Sequence, residues 1–189
     1  MTVRLAEAHS DALGETRRRV AAVTSDQLEL STPCEDWSVR ELLNHIVAGN
    51  LWAAELAAGK AIDEVGDRLD GDVLDDDLLS AYEQSAKLAS DVFAEPGAME
   101  AMCAVSYGPV PGSVYCGHRV LDVVIHGWDL ATATGQDDVI PAALVQVCQE
   151  ILEPQLEALQ ASGAFGEEVE VGSDADPQAR LLALLGRSG

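Results

Sequence analysis

Residues 113–135 read SVYCGHRVLDVVIHGWDLATATG. The apolar spacing predicts one helix over Ser113–Thr134, and Gly135 supplies the left-handed turn that commonly closes a helix. Asp122 and His126 stand four residues apart in it, so both project from one side, one turn above the other. Asp129 continues that line three residues further on. Their neighbours Leu121, Val123, Val124 and Ile125 are apolar, and a carboxylate among such residues is costly to bury unless something pairs with its charge.

On the N-terminal side of this helix, Met99 to Gly112 is short and irregular, with SYGPVPG as a turn-rich connection able to flank a small hairpin. Before it, a helix beginning near Asp75–Asp77 carries Leu78, Tyr82, Leu88, Val92 and Phe93 and stops at Glu95-Pro96-Gly97. Asp63 to Asp77 reads as an acidic loop. A helix opens at Ser38 with a capping box, Ser38-x-x-Glu41, and runs to about Ala58. The first helix spans Val3 to Val23, and TPCEDW breaks the chain after it. On the C-terminal side, Pro141 starts a fifth helix to about Gln160, kinked or broken at Pro154. A short extended piece at Val169 and Val171 and a small docking helix in RLLALLGR finish the chain. Long amphipathic helices with few strand signals predict an all-α, up-and-down four-helix bundle with additional C-terminal helices. It is expected to form a single domain over 1–189, with its core at about 3–160 and a docking tail at about 161–189.

The chain has 189 residues, 48% hydrophobic, and 33 acidic against 11 basic residues give a formal net charge of -22. That apolar content excludes global disorder and puts the acidity on a folded surface. Such a charge repels phosphate backbones and anionic lipid, so neither nucleic acid nor a membrane is an expected partner. Arg17, Arg18 and Arg19 read as a solvated turn. The four cysteines, at 34, 103, 116 and 148, show no metal-ribbon spacing, and no apolar leader or spanning run is present. The simplest expectation is a cytoplasmic protein with reduced thiols, and a spare apolar face makes a homodimer an option.

Four histidines can be weighed one by one. His45 lies among Leu42, Leu43, Ile46 and Val47 and points inward or to the core edge. Two partners then suit Asp122 and His126. One is a mutual hydrogen bond fixing a core imidazole. The other is a divalent metal bound by Asp122 and His126 from one helix and His45 from a facing one. Three N and O ligands would leave an open coordination position, as in catalytic zinc sites. Asp129 is read either as a carboxylate orienting His126 or a bound water, or as a solvent-facing helix end. His118, one turn before Asp122, borders the site mouth or pairs with Asp122. His9 is read as a core or edge histidine, Cys34 as a small buried hydrophobe, and Trp37, Trp52 and Trp128 as core or interface anchors. LDGDVLDDD lacks calcium-loop spacing and reads as a solvated face.

TPCEDWSVRELLNHIVAGN, HGWDLATATGQ and the closing ARLLALLGR resemble the actinobacterial family related to the N-terminal domain of mycothiol-dependent maleylpyruvate isomerase, within the DinB-like superfamily of helical bundles. The likeness runs from about Leu5 to Arg187. It implies a DinB-like four-helix bundle whose metal is held by a His of the second helix and an acidic-x-x-x-His pair of a later one. Matched residue by residue, these are His45, Asp122 and His126, with Asp122 standing where the isomerase has Glu. The metal so implied is zinc, with nickel or another divalent ion as alternates. The implied chemistry is that of a low-molecular-weight thiol such as mycothiol, stabilised as thiolate and directed at a small electrophile by a transferase or isomerase. About thirty residues follow Gln160, where the isomerase has a substantial further domain, and the acidic surface gives an anionic substrate no electrostatic help. Both departures point away from maleylpyruvate itself. The rival expectation is a non-catalytic metal-binding protein for sequestration, sensing or partner docking, and a weaker third is a bundle that binds nothing.

Overall fold

A computed structural model describes residues 2–34, 37–74, 76–156, 168–172 and 174–187. They form helices α1 (Thr2–Ala21), α2 (Val39–Ala57), α3 (Ile62–Val65) and α4 (Leu78–Ala94), a hairpin of β1 (Met102–Val105) and β2 (Gly108–Pro111), then α5 (Gly112–Thr134), α6 (Ala142–Leu152) and α7 (Pro177–Leu184). The chain divides into two compact units, 1–138 and 139–189.

In the first unit, α1 and α2 each pack against both α4 and α5. The central element is α5, buried on most of its circumference, from Tyr115 and Cys116 through Leu121, Val124 and Ile125 to Trp128 and Leu130. Its polar residues are therefore either paired or placed at the bundle edge. Against it lies the apolar stripe of α2, Val39, Leu42, Leu43, Ile46 and Val47, all nearly inaccessible. Thr16 Oγ1 of α1 donates to the Val123 carbonyl at 3.1 Å, and Tyr82 Oη of α4 donates to the Leu13 carbonyl at 2.8 Å. Such bonds satisfy buried polar atoms and fix the helices' mutual height.

The chain punctuation follows the sequence closely. Ser38 caps α2 with both halves of the box: Ser38 Oγ accepts from the Glu41 amide, and Glu41 Oε2 accepts from the Ser38 amide at 2.7 Å. Gly135 closes α5 in the left-handed region, α4 stops before Pro96-Gly97, and the turn-rich 102–111 segment is an antiparallel hairpin with Val105 opposite Gly108. The acidic 63–77 stretch contributes the single turn α3, held by Glu64 accepting from the Ala61 amide. Asp75 and the expected continuation of the fifth helix to Gln160 lie outside the described residues. The basic triplet departs from expectation. Arg17 and Arg18 are exposed and paired with Glu83 and Glu15, whereas Arg19 is buried and its guanidinium lies beside Gly127 of α5. A helix turn that faces a neighbouring helix cannot keep all three consecutive side chains in water.

In the second unit, α6 packs on α7. Asp176 caps α7, and Pro177 occupies its first turn. The extended piece is tied to α7 by the Val169 amide, which donates to the Ala183 carbonyl at 3.0 Å. α6 ends at Leu152, just before the turn that contains Pro154.

Candidate metal centre

The site is assembled from α2, α5 and the loop that precedes α2. That loop is folded back on itself. The Thr32 hydroxyl lies 3.0 Å from the Trp37 carbonyl and accepts from the Cys34 amide at 3.2 Å, while the Val39 amide donates to the Leu30 carbonyl. The fold-back sets Trp37 against both histidines, with ring centroids 4.7 Å from His45 and 5.9 Å from His126.

His45, Asp122 and His126 converge. His45 Nε2 lies 3.3 Å and His126 Nε2 3.6 Å from the same atom, Asp122 Oδ1. Ligand atoms on a tetrahedral ion with N and O donors are about 3.3 Å apart; both nitrogen–oxygen separations lie close to that, and the three candidate atoms all fall within 4.8 Å of one another. Its exposure is graded: the His45 side chain is 36% accessible, Asp122 22% and His126 9%. The exposed end opens on a cleft of about 460 Å³ lined by Trp37, Glu41, Asn44, His45, Leu69 and Asp70.

The two inner side chains of the triad are each gripped from behind. Asp129 is fully buried, and its Oδ2 accepts from His126 Nδ1 at 3.0 Å. That bond orients the ring and turns Nε2 toward Asp122 Oδ1. Of the two readings of Asp129, the solvent-facing one is thus overturned. Asp122 Oδ2 accepts from Arg119 Nη1 at 2.8 Å, leaving Oδ1 to the histidines. Arg119 Nη2 in turn donates to Asn50 Oδ1 at 3.2 Å, Asn50 Nδ2 donates to Ser85 Oγ, and Ser85 donates to the Tyr82 carbonyl. Gly49 makes room for this arginine: a Cβ there would sit 2.5 Å from Nη1. Burial works against the Asp122 charge, but Arg119, His126 and His45 outweigh it and hold its carboxyl well below the usual carboxylate range.

The remaining candidates fall elsewhere. His118 Nδ1 pairs with the Tyr107 hydroxyl of the hairpin turn at 2.5 Å. His9 is inaccessible in the core, edge-on to Phe93, and neither ring nitrogen has a hydrogen-bond partner among the described residues. Cys103, Cys116 and Cys148 are buried thiols. Burial raises the thiols of Cys103, Cys116 and Cys148, the last two to about 12. Cys34 is different: it is half-buried, and its Sγ donates to Asp129 Oδ2 at 3.1 Å.

Sequence reasoning did not single out Arg119, Asn50 or the role of Cys34. Arg119-x-x-Asp122 places both residues on one side of α5, a signal visible in the sequence. Asn50 and Cys34 offer no comparable local signal, because their partners lie 69 and 95 residues away.

Residues 9–131 match the family profile described as the mycothiol maleylpyruvate isomerase N-terminal domain. The chain is 35% identical over 185 residues, 96% of both chains, to uncharacterized proteins of two Mycobacterium tuberculosis strains, CDC 1551 / Oshkosh and H37Rv. Among solved structures it is similar to a crystal structure of a histidine-to-alanine mutant of the mycothiol-dependent maleylpyruvate isomerase, with TM-score 0.65, 16% identity, and coverage of 88% of this chain and 74% of that one. A second crystal structure of the isomerase gives TM-score 0.60 at 16% identity, covering 78% and 67%. At that identity the likeness concerns the fold, which is the expected DinB-like helical one. Among the described residues, no helix is long and apolar enough to cross a membrane.

Proposed function

Because the chain belongs to the mycothiol maleylpyruvate isomerase N-terminal domain family, we propose that it holds one divalent ion, zinc in the first instance, with His45, Asp122 and His126. We propose further that it works in the cytoplasm on a low-molecular-weight thiol of the mycothiol type, in a transferase or isomerase reaction with a small electrophile. The observation that carries this reading is the convergence of two imidazole nitrogens on one carboxylate oxygen at the edge of an open cleft. Such an ion, when bound, is a Lewis acid that favours thiolate over thiol at neutral pH.

The chain's own residues do the rest. Asp129 fixes the His126 ring, Arg119 leaves Asp122 a single free oxygen, and Trp37 walls one side of the approach. Charge favours an anionic co-ligand: two carboxylates and one guanidinium leave a dication one positive charge in excess, which a thiolate balances. The cleft is lined by Glu41, Asn44 and Asp70 beside Trp37, a polar wall suited to a hydroxyl-rich thiol more than to a purely apolar one.

Two measurements test the reading. Protein purified without an affinity tag should carry near-stoichiometric metal that is lost in His126→Ala; full occupancy in that variant would overturn the site. The Co²⁺-substituted protein should show ligand-field bands that are lost in His45→Ala and shift on adding mycothiol. No shift at millimolar thiol would overturn the thiol chemistry and leave the non-catalytic metal-binding role.

A further inference from the structure

On the other side of the His126 ring lies a second set of donors, of which the proposed function leaves Cys34 unused. Cys34 Sγ is 3.1 Å from Asp129 Oδ2 and 3.6 Å from His126 Nδ1, and Oδ2 is 3.0 Å from Nδ1. Sulfur, nitrogen and carboxylate oxygen on a tetrahedral ion stand about 3.3 to 3.6 Å apart. The triangle is therefore of ligating size with only tenths of an ångström to gain. We infer that Cys34, His126 and Asp129 form a second, thiolate-containing position for a soft divalent ion, alternative to the one formed by His45, Asp122 and His126.

Three features carry the inference. A thiolate and a carboxylate together neutralise a dication, whereas in the other triad the single Asp122 charge is already shared with Arg119. Sulfur selects softer ions than an all-N,O set does. The positions are exclusive, because a neutral imidazole offers one lone pair. With the proton on Nδ1, bonded to Asp129, Nε2 serves the first triad; with the proton on Nε2, toward Asp122, Nδ1 serves the second. Binding at the second position releases the Cys34 proton and shifts the imidazole proton to Nε2. The ion held thus sets the tautomer of His126 and with it which side of the ring is engaged.

The inference depends on the proposed function only through the shared His126, and a pair of probe ions separates them. One equivalent of Cd²⁺ added to the metal-free full-length protein should produce an ultraviolet thiolate-to-metal charge-transfer band. It should also protect Cys34 from iodoacetamide at least tenfold, read by peptide mass spectrometry. Both effects should vanish in Cys34→Ser and persist in His45→Ala, while the Co²⁺ ligand-field bands should persist in Cys34→Ser and vanish in His45→Ala. His126→Ala should lose both. Cd²⁺ binding without a charge-transfer band, or a band that survives Cys34→Ser, would overturn the second position and leave the first intact. Two ions bound per chain at saturation, with both signatures at once, would overturn the exclusivity.

Discussion

Replacing His9 by leucine should flatten the acid side of the stability curve. His9 is inaccessible in α1 against Phe93, with no hydrogen-bond partner at either nitrogen among the described residues. Burial, aided by the positive charge of Arg119, lowers its pKa to about 3. In the unfolded chain the value returns to about 6.5. Between these values the unfolded state binds the extra proton, so the stability this group contributes is complete above about pH 6.5 and is lost as the pH falls. At about pH 5, one and a half units below the unfolded value, the loss amounts to about 2 kcal/mol. That is a sizeable share of the 5–15 kcal/mol or so that ordinarily separates folded from unfolded domains. The assay is urea unfolding of wild type and His9→Leu with a chelator present, at about pH 7.5 and about pH 5. The variant should lose about 2 kcal/mol less than wild type between the two conditions. At the upper pH it should be as stable or more so, since leucine leaves no unpaired buried nitrogen. Asp122 does not confuse the comparison: its carboxyl is depressed, so its contribution is lost only as the pH falls below about 4, and it is common to both proteins. Parallel losses, within about 0.5 kcal/mol, would refute the assignment of His9 as a neutral core histidine.

Arg119→Met should destabilise the metal-free protein by about 2 kcal/mol, less than for a fully buried pair because Asp122 keeps some water contact; chelator-treated denaturation curves check this. Gly49→Ala should push the same guanidinium aside and cost about 1–3 kcal/mol in that assay, with an additional loss well short of additive when combined with Arg119→Met. Ser38→Ala should cost about 1 kcal/mol through loss of the α2 cap, read as a lower thermal midpoint. Asp129→Leu should weaken Co²⁺ binding at least about tenfold by freeing the His126 ring, measured by competition with a chromophoric chelator.

What local chemistry encodes was legible in the sequence: the cap at Ser38, the stop at Pro96-Gly97, the closure at Gly135, and the i,i+4 spacing that puts Asp122 beside His126. Each depends on residues within one or two turns. The facing role of His45 was legible because the helical period orients a whole stripe at once. The supports were not. Asn50 meets Arg119 across 69 residues and Cys34 meets Asp129 across 95, and such pairings exist only once the helices have packed. Cysteines more commonly behave as small hydrophobes, and Cys34, expected to be one, departs from that tendency; its polar neighbours stay hidden until α5 is placed beside the loop. Arg19 escaped for a related reason: the triplet's composition indicates solvent, while the crossing at Gly127 buries its last member.

The hydrogen bond from Arg119 to Asp122 has a kinetic side. A fixed positive charge behind a ligand repels any dication that ligand accepts, and it offers the carboxylate a ready partner the moment the ion leaves. Release therefore exposes no naked buried charge, which lowers the barrier to departure. An ion held there as proposed would exchange with the surrounding pool faster than at the same triad without the arginine.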